Sequence, residues 1–192
     1  MGAIFQSLGR TVGAGAVLLV LLILVAGSGK YDHAWGNFAM RWAHVMCGVM
    51  WIGLLWYFNF VQIPSMPKIP DEQKPAIGKV IAPTALFWFR WAALATVVTG
   101  ALLATMSGYI ASALMLQAPV RAIGIGMWIA LVMAFNVWFI IWPNQKKALG
   151  IVAVEAPAKA AAARLAMLTS RANTMLSIPM LYCMVAQQNG GL

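Results

Sequence analysis

Apolar residues in this chain gather in long blocks, at about 11–27, 38–61, 81–106, 120–142 and 172–185. A helix of about 20 residues crosses a hydrocarbon core of roughly 30 Å. Four of the blocks reach that length unaided. The fifth does so only if the Ala-rich residues upstream extend it. Backbone groups in lipid must pair within their own segment, which predicts helices. A transmembrane barrel would need alternating segments of about ten residues, and none occur. The expectation is an all-α integral membrane bundle of about five transmembrane helices, forming one domain over residues 1–192.

Between the blocks, the stretch from Ile63 to Lys79 holds Pro64, Pro67, Pro70 and Pro75, which predicts an extended or turn-rich connector. Residues 143–170 form the longest loop. Its Ala-rich part, about 156–170, is expected to lie as an interfacial helix on the cytoplasmic side. The first block follows Arg10 and precedes Ala26-Gly27-Ser28, as in a signal peptide, but reads here as an anchor.

Composition agrees with this pattern: 62% of residues are hydrophobic, 9% are charged, and the mean hydropathy is +0.83. A soluble domain carries about 25% charged residues, so a water-soluble globule is excluded. The formal net charge of +9 would suggest nucleic acid on a soluble protein. Here its distribution matters more. Placing the N-terminus in the cytoplasm puts Arg10, Lys68, Lys74, Lys79, Lys146, Lys147, Lys159, Arg164 and Arg171 on that side, against Lys30 and Arg121 opposite. The positive-inside rule then predicts an N-in, C-out topology. The charge reads as an insertion signal with contact to anionic membrane lipid, and no nucleic-acid partner is expected. Cys47 and Cys183 both lie in apolar blocks, which excludes a disulfide framework, a structural zinc site and a CxxCH attachment site for c-type haem.

Charges at membrane depth are costly, so Arg41 and Arg90 each require a reason. No Asp or Glu lies in any block. Each arginine is read as snorkelling to head groups, binding backbone carbonyls, or meeting an acidic cofactor or partner subunit. In the second block, positions 41, 44, 48, 51, 55 and 58 share a helical face occupied by Arg41, His44, Gly48, Trp51, Leu55 and Phe58. Gly48 would admit another helix or a planar cofactor one turn from His44. That makes His44 a candidate axial ligand for haem b, the alternative being a histidine hydrogen-bonded to a carbonyl. A bis-histidine haem is excluded, because the second histidine, His33, is placed in the outer loop. Cofactor-binding candidates are therefore Arg41, His44, Gly48, Trp51 and Arg90, while the cofactor itself stays unassigned. The cluster of His44, Met46, Cys47 and Met50 suits Cu(I), but Met46 and Met50 point away from the other two, and no metal site is assigned.

Elsewhere the pattern reads as packing. Gly126, Ala130 and Ala134 recur every four residues and permit close helix contact, as do Thr96, Thr99 and Gly100. Asn136, Asn173 and Gln62 are isolated polar groups suited to joining helices. Pro179 is expected to kink the fifth block.

The series Arg41-Trp42-x-His44, Trp51-Ile52-Gly53-Leu54 and Tyr57-Phe58-Asn59-Phe60-Val61-Gln62 resembles the urate oxidase N-terminal family, the membrane domain of bacterial membrane-bound urate hydroxylases. The resemblance continues at Phe89-Arg90-Trp91-Ala92, Ile141-Trp142-Pro143-Asn144-Gln145-Lys146, Ser170-Arg171-Ala172-Asn173 and Ser177-Ile178-Pro179-Met180. It implies a multi-pass protein of the bacterial inner (cytoplasmic) membrane. It also adds Asn59, Asn144, Gln145, Arg171 and Asn173 to the candidate site residues. Full-length urate enzymes carry a C-terminal cytochrome c domain, and the absence of CxxCH here removes that electron route.

Three functions follow in order. The first is a non-catalytic membrane subunit docked among other membrane protein subunits of an electron-transfer complex, respiratory or photosynthetic. The second is a membrane oxidoreductase of the urate hydroxylase type with a separate electron acceptor. The third is a copper or small-solute transporter.

Overall fold

The structure, a computed structural model, describes residues 2–27 and 29–191. It is helical, with no strand among the described residues. After a short helical turn at Gly2–Phe5 come α1 (Leu8–Ala26), α2 (His33–Lys68), α3 (Lys74–Met106), the short α4 (Ile110–Leu114), α5 (Arg121–Ala148) and α6 (Ala156–Asn189). Helices α1, α2, α3 and α5 are long and apolar enough to cross a membrane.

Two compact units divide the chain after Phe38. In the first, Asp32 caps α2 by accepting the Trp35 backbone N–H at 3.0 Å. His33 therefore opens a helix instead of sitting in the expected loop, and its ring accepts from Asn37 one turn on. The second unit, from Ala39, is a bundle of α2, α3, α5 and α6 with antiparallel neighbours. Trp51, Leu55 and Phe58 of α2 meet Phe89 and Ala93 of α3, Met133 and Val137 of α5, and Met180 of α6 in one buried core. The face of α2 predicted from its spacing is thus the face turned to the bundle.

Prolines leave a consistent mark on these helices. Each of the π segments Tyr57–Gln62, Ile77–Ile81 and Asn136–Ile141 ends two residues before a proline: Pro64, Pro83 and Pro143. Proline lacks an N–H, and its ring crowds the carbonyl four residues earlier. Widening the preceding turn relieves that crowding. Accordingly, Ile63, Ala82 and Trp142 donate to the carbonyls of Phe58, Ile77 and Val137, five residues back. The proline-rich connector is consequently more helical than expected. Short helical turns extend both flanking helices and leave only Ile69–Gln73 between them.

The expected interfacial helix and fifth span prove to be one helix, α6, of 34 residues, because nothing between 156 and 189 except Pro179 opposes helix formation. Its length is about 50 Å. It is not among the four helices apolar enough to count as a span, and the reason lies in its packing. Ala162, Ala166, Ser170, Asn173, Ser177, Met180, Cys183 and Ala186 form its buried stripe. Leu165, Leu168, Met175, Ile178, Tyr182 and Val185 are exposed. Apart from Met180 and Cys183, the side chains that face the other helices are small or polar, whereas most of the large apolar ones face outward beside Lys159, Arg164 and Arg171. Close approach follows: a Cβ on Gly126 of α5 would stand 3.1 Å from the Cys183 Cβ. On Gly124 it would lie 2.1 Å from the Ala113 carbonyl oxygen, so α4 and α5 touch backbone to backbone there.

Candidate functional site

His44 is placed by the face of α2 that carries Trp51 and Leu55, and it lies against α3. Its Nδ1 is 3.0 Å from the Thr96 carbonyl oxygen and 3.2 Å from Thr99 Oγ1. A carbonyl can only accept, so Nδ1 carries the proton and donates it to Thr96, leaving the lone pair on Nε2. Thr96 and Thr99 return their own hydroxyl protons to the carbonyls of Ala92 and Ala95, each at 2.7 Å. The ring fits because residue 100 is glycine. A Cβ there would meet His44 Cε1 at 2.9 Å and Nδ1 at 3.2 Å. Gly48 is less constrained: the nearest atom to a Cβ at that position is Thr96 Cγ2, at 3.9 Å.

Arg41, one turn before His44, reaches α6 and donates from an Nη to Gln188 Oε1 at 3.1 Å. Its buried Nε has no acceptor. Its charge also acts on Tyr109, in the turn after α3. Burial raises the Tyr109 phenol above its ordinary range, with Arg41 pulling partly in the opposite direction. Gln187 ties α6 to the start of α5 by accepting from the Ile123 N–H and donating to the Pro119 carbonyl, each at 3.1 Å. This end of the bundle therefore gathers Arg41, His44, Tyr109, Gln187 and Gln188.

Arg90 lies elsewhere, toward the end where the lysines of α3 and α5 collect. Its guanidinium carbon is 3.8 Å from the centroid of the Trp142 ring and 5.6 Å from that of Phe87. None of the three sequence readings of Arg90 included an indole face, which attracts a cation through its quadrupole. The Trp138 indole N–H donates to the Arg90 backbone carbonyl at 3.2 Å. Trp51 sits between these two ends, fully buried, with its Nε1 unpaired.

A middle layer joins the helices through small polar groups. Asn173, fully buried, donates to the Met133 carbonyl at 2.9 Å and accepts from Asn136 at 2.8 Å. Asn59 donates to Ser170 Oγ at 2.8 Å, and the Trp56 indole donates to Ser177 Oγ at 3.0 Å. Asn144 turns back to the Ile140 carbonyl on its own helix. The buried carbonyl oxygens Asn59 Oδ1 and Gln62 Oε1 have no donor. Of the candidates, the structure brings Arg41 and His44 to one end and places Arg90 at the other. Met46 and Met50 are exposed, away from the α3-facing His44 ring. Sequence reasoning missed Tyr109, Gln187 and Gln188, which stand outside the quoted motifs. It also missed Trp142 as the partner of Arg90, although the expected antiparallel order of helices sets the two at similar depth.

The geometry defines an all-helical bundle with an apolar exterior and small polar residues between its helices. Residues 118–190 match the model of the family described as Urate oxidase N-terminal, the family that the sequence motifs resemble. The match covers α5 and α6, less than half of the chain. It includes the Trp142-Pro143-Asn144-Gln145 and Ser170–Met180 motifs but not the His44 or Arg90 segments. Comparison with curated proteins found no match, and neither did comparison with solved structures.

Proposed function

We propose that this chain is an integral membrane subunit that works by docking in a larger electron-transfer complex and is not catalytic by itself. The observation that carries the reading is how the polar residues are used. His44 joins α2 to α3, Arg41 and Asn59 join α2 to α6, and Asn173 joins α6 to α5. The candidate residues hold helices together instead of converging on one point. Helix α6, which buries mostly small side chains with Ser170, Asn173 and Ser177 among them and exposes most of its large apolar ones, acts as the fifth span, and the excess of lysine at one end sets the N-in orientation in the bacterial inner membrane. In the test, a tagged chain is purified from its source membranes in mild detergent after cross-linking. Stoichiometric recovery of redox subunits supports the proposal, and recovery of the chain alone overturns it.

The second reading, a urate hydroxylase-type oxidoreductase with a separate acceptor, is favoured by the match over residues 118–190. His44 would be its haem b ligand. A carbonyl-bound Nδ1–H is the usual outer-shell partner of a ligating histidine and leaves Nε2 for iron. If membranes lacking the gene keep full urate-dependent oxygen uptake, that reading fails.

A further inference from the structure

Between α3 and α5 runs an outward-facing groove of about 370 Å³. Leu94 and Val97 line it from α3, and Leu131, Phe135, Trp138 and Phe139 from α5, so its walls are almost wholly apolar. Trp138 lines it on the side toward Arg90, held by its bond to the Arg90 carbonyl and by an edge-on contact with Trp91 at 5.3 Å. One helical turn beyond Trp138 lies Trp142, and two cations meet its ring: Arg90 at 3.8 Å and Lys146 at 5.7 Å. No acceptor among the described residues reaches the Arg90 guanidinium, and no carboxylate accompanies either cation; the only ion pair among those residues joins Asp71 and Lys74. Two like charges sharing one indole repel each other unless an anion lies near them. Five guanidinium N–H groups in a fixed fork match the oxygens of a phosphate.

We infer that this juxtaposition is a binding site for one anionic phospholipid, its phosphate held by Arg90 and Lys146 beside Trp142 and an acyl chain laid in the α3/α5 groove. Depth supports the assignment. The segment Trp142-Pro143-Asn144-Gln145-Lys146-Lys147 is where α5 changes from apolar to polar, the level at which tryptophan and head groups meet. Basic recesses between membrane helices on the lysine-rich side recognise acidic head groups. A soluble phosphate would satisfy the cations but leave the groove unused, and a zwitterionic lipid would fill the groove but bring a cation of its own.

Native mass spectrometry of the full chain, released from detergent after incubation with phosphatidylglycerol or phosphatidylcholine, tests the site. One phosphatidylglycerol retained in preference to phosphatidylcholine is expected. Lys146→Gln should lower that retention about fivefold, and adding Arg90→Gln about thirtyfold. Ala134→Leu, which fills the groove floor and keeps both cations, should also reduce it. Equal retention of the two lipids, or unchanged retention in Lys146→Gln, overturns the proposal. So does competition by millimolar inorganic phosphate, which would make the site one for a soluble anion. Lys146 is part-exposed on α5, so its variant stays informative if Arg90→Gln fails to fold.

Discussion

The fit of His44 against Gly100 makes a prediction with a defined sign. Alanine at a helical glycine contributes about 0.8–1 kcal/mol through backbone entropy where nothing obstructs the new methyl. At Gly100 the methyl would stand 2.9 Å from His44 Cε1 and 3.2 Å from Nδ1, so the imidazole must move. Overpacking of this kind costs about 1–3 kcal/mol, and loss of the Nδ1–H bond to Thr96 adds about 0.5–1.5 kcal/mol. Gly100→Ala should therefore destabilise the bundle by roughly 0.5–3.5 kcal/mol. Gly48→Ala, whose nearest neighbour is at 3.9 Å, should be neutral or stabilising by up to about 1 kcal/mol. In a His44→Ala background the obstruction is gone, and Gly100→Ala should become neutral or stabilising. The assay is reversible unfolding in mixed micelles by rising SDS fraction, followed by helical circular dichroism, on all four members of the His44/Gly100 cycle. If Gly100→Ala costs the same with and without the imidazole, the packing of His44 on Gly100 is refuted.

Other consequences can be checked on the same preparation. Asn173→Leu strands the Asn136 amide and the Met133 carbonyl, and should cost about 1–3 kcal/mol; adding Asn136→Leu should restore part of that loss in the same unfolding assay. Gly126→Leu drives a branched side chain into Cys183, and should cost more than Gly126→Ala, measured as the midpoint of thermal aggregation in detergent. Burial raises the Tyr109 phenol, so its contribution to stability is intact below the unfolded value near pH 10 and declines as pH rises through the higher folded value. Tyr109→Phe should therefore flatten the alkaline fall in melting temperature above about pH 10; an unchanged slope would remove Tyr109 as its cause.

Much of the architecture was legible because lipid leaves few choices. Long apolar blocks predict helices, and four of them are long and apolar enough to cross a membrane. The face of α2 through His44, Trp51 and Leu55 followed from helical spacing, and the Gly126 repeat followed from its small side chains. Residues 156–189 were harder to read for a physical reason. A helix that buries Ser170, Asn173 and Ser177 against its neighbours has a lower mean hydropathy than the four long apolar helices, so its extent does not stand out in an apolar block. Its single-helix continuity depends on the absence of a breaker, a weaker signal than the presence of one.

The candidate site was less legible than the fold. Spacing alone placed His44 on an interior face but could not supply Thr96 and Gly100, which come from another helix. The guanidinium of Arg90 finds an aromatic ring 52 residues away in sequence, a pairing that depends on how α3 and α5 are juxtaposed. Polar residues met singly along a chain look like isolated anomalies. Once antiparallel helices bring Asn136 to Asn173 and Asn59 to Ser170, they read as pairs that fix helix register.

The central claim, that this chain serves a larger redox assembly through docking while its own polar residues hold its helices together, meets its most direct test on a native gel. Source membranes would be dissolved in mild detergent, the band containing the chain identified by mass spectrometry, and its visible absorption recorded. A large, pigmented band shared with redox subunits, whose absorption survives His44→Ala, is expected. A small band with haem absorption of its own that disappears in His44→Ala would contradict it and make the chain an oxidoreductase with His44 as ligand.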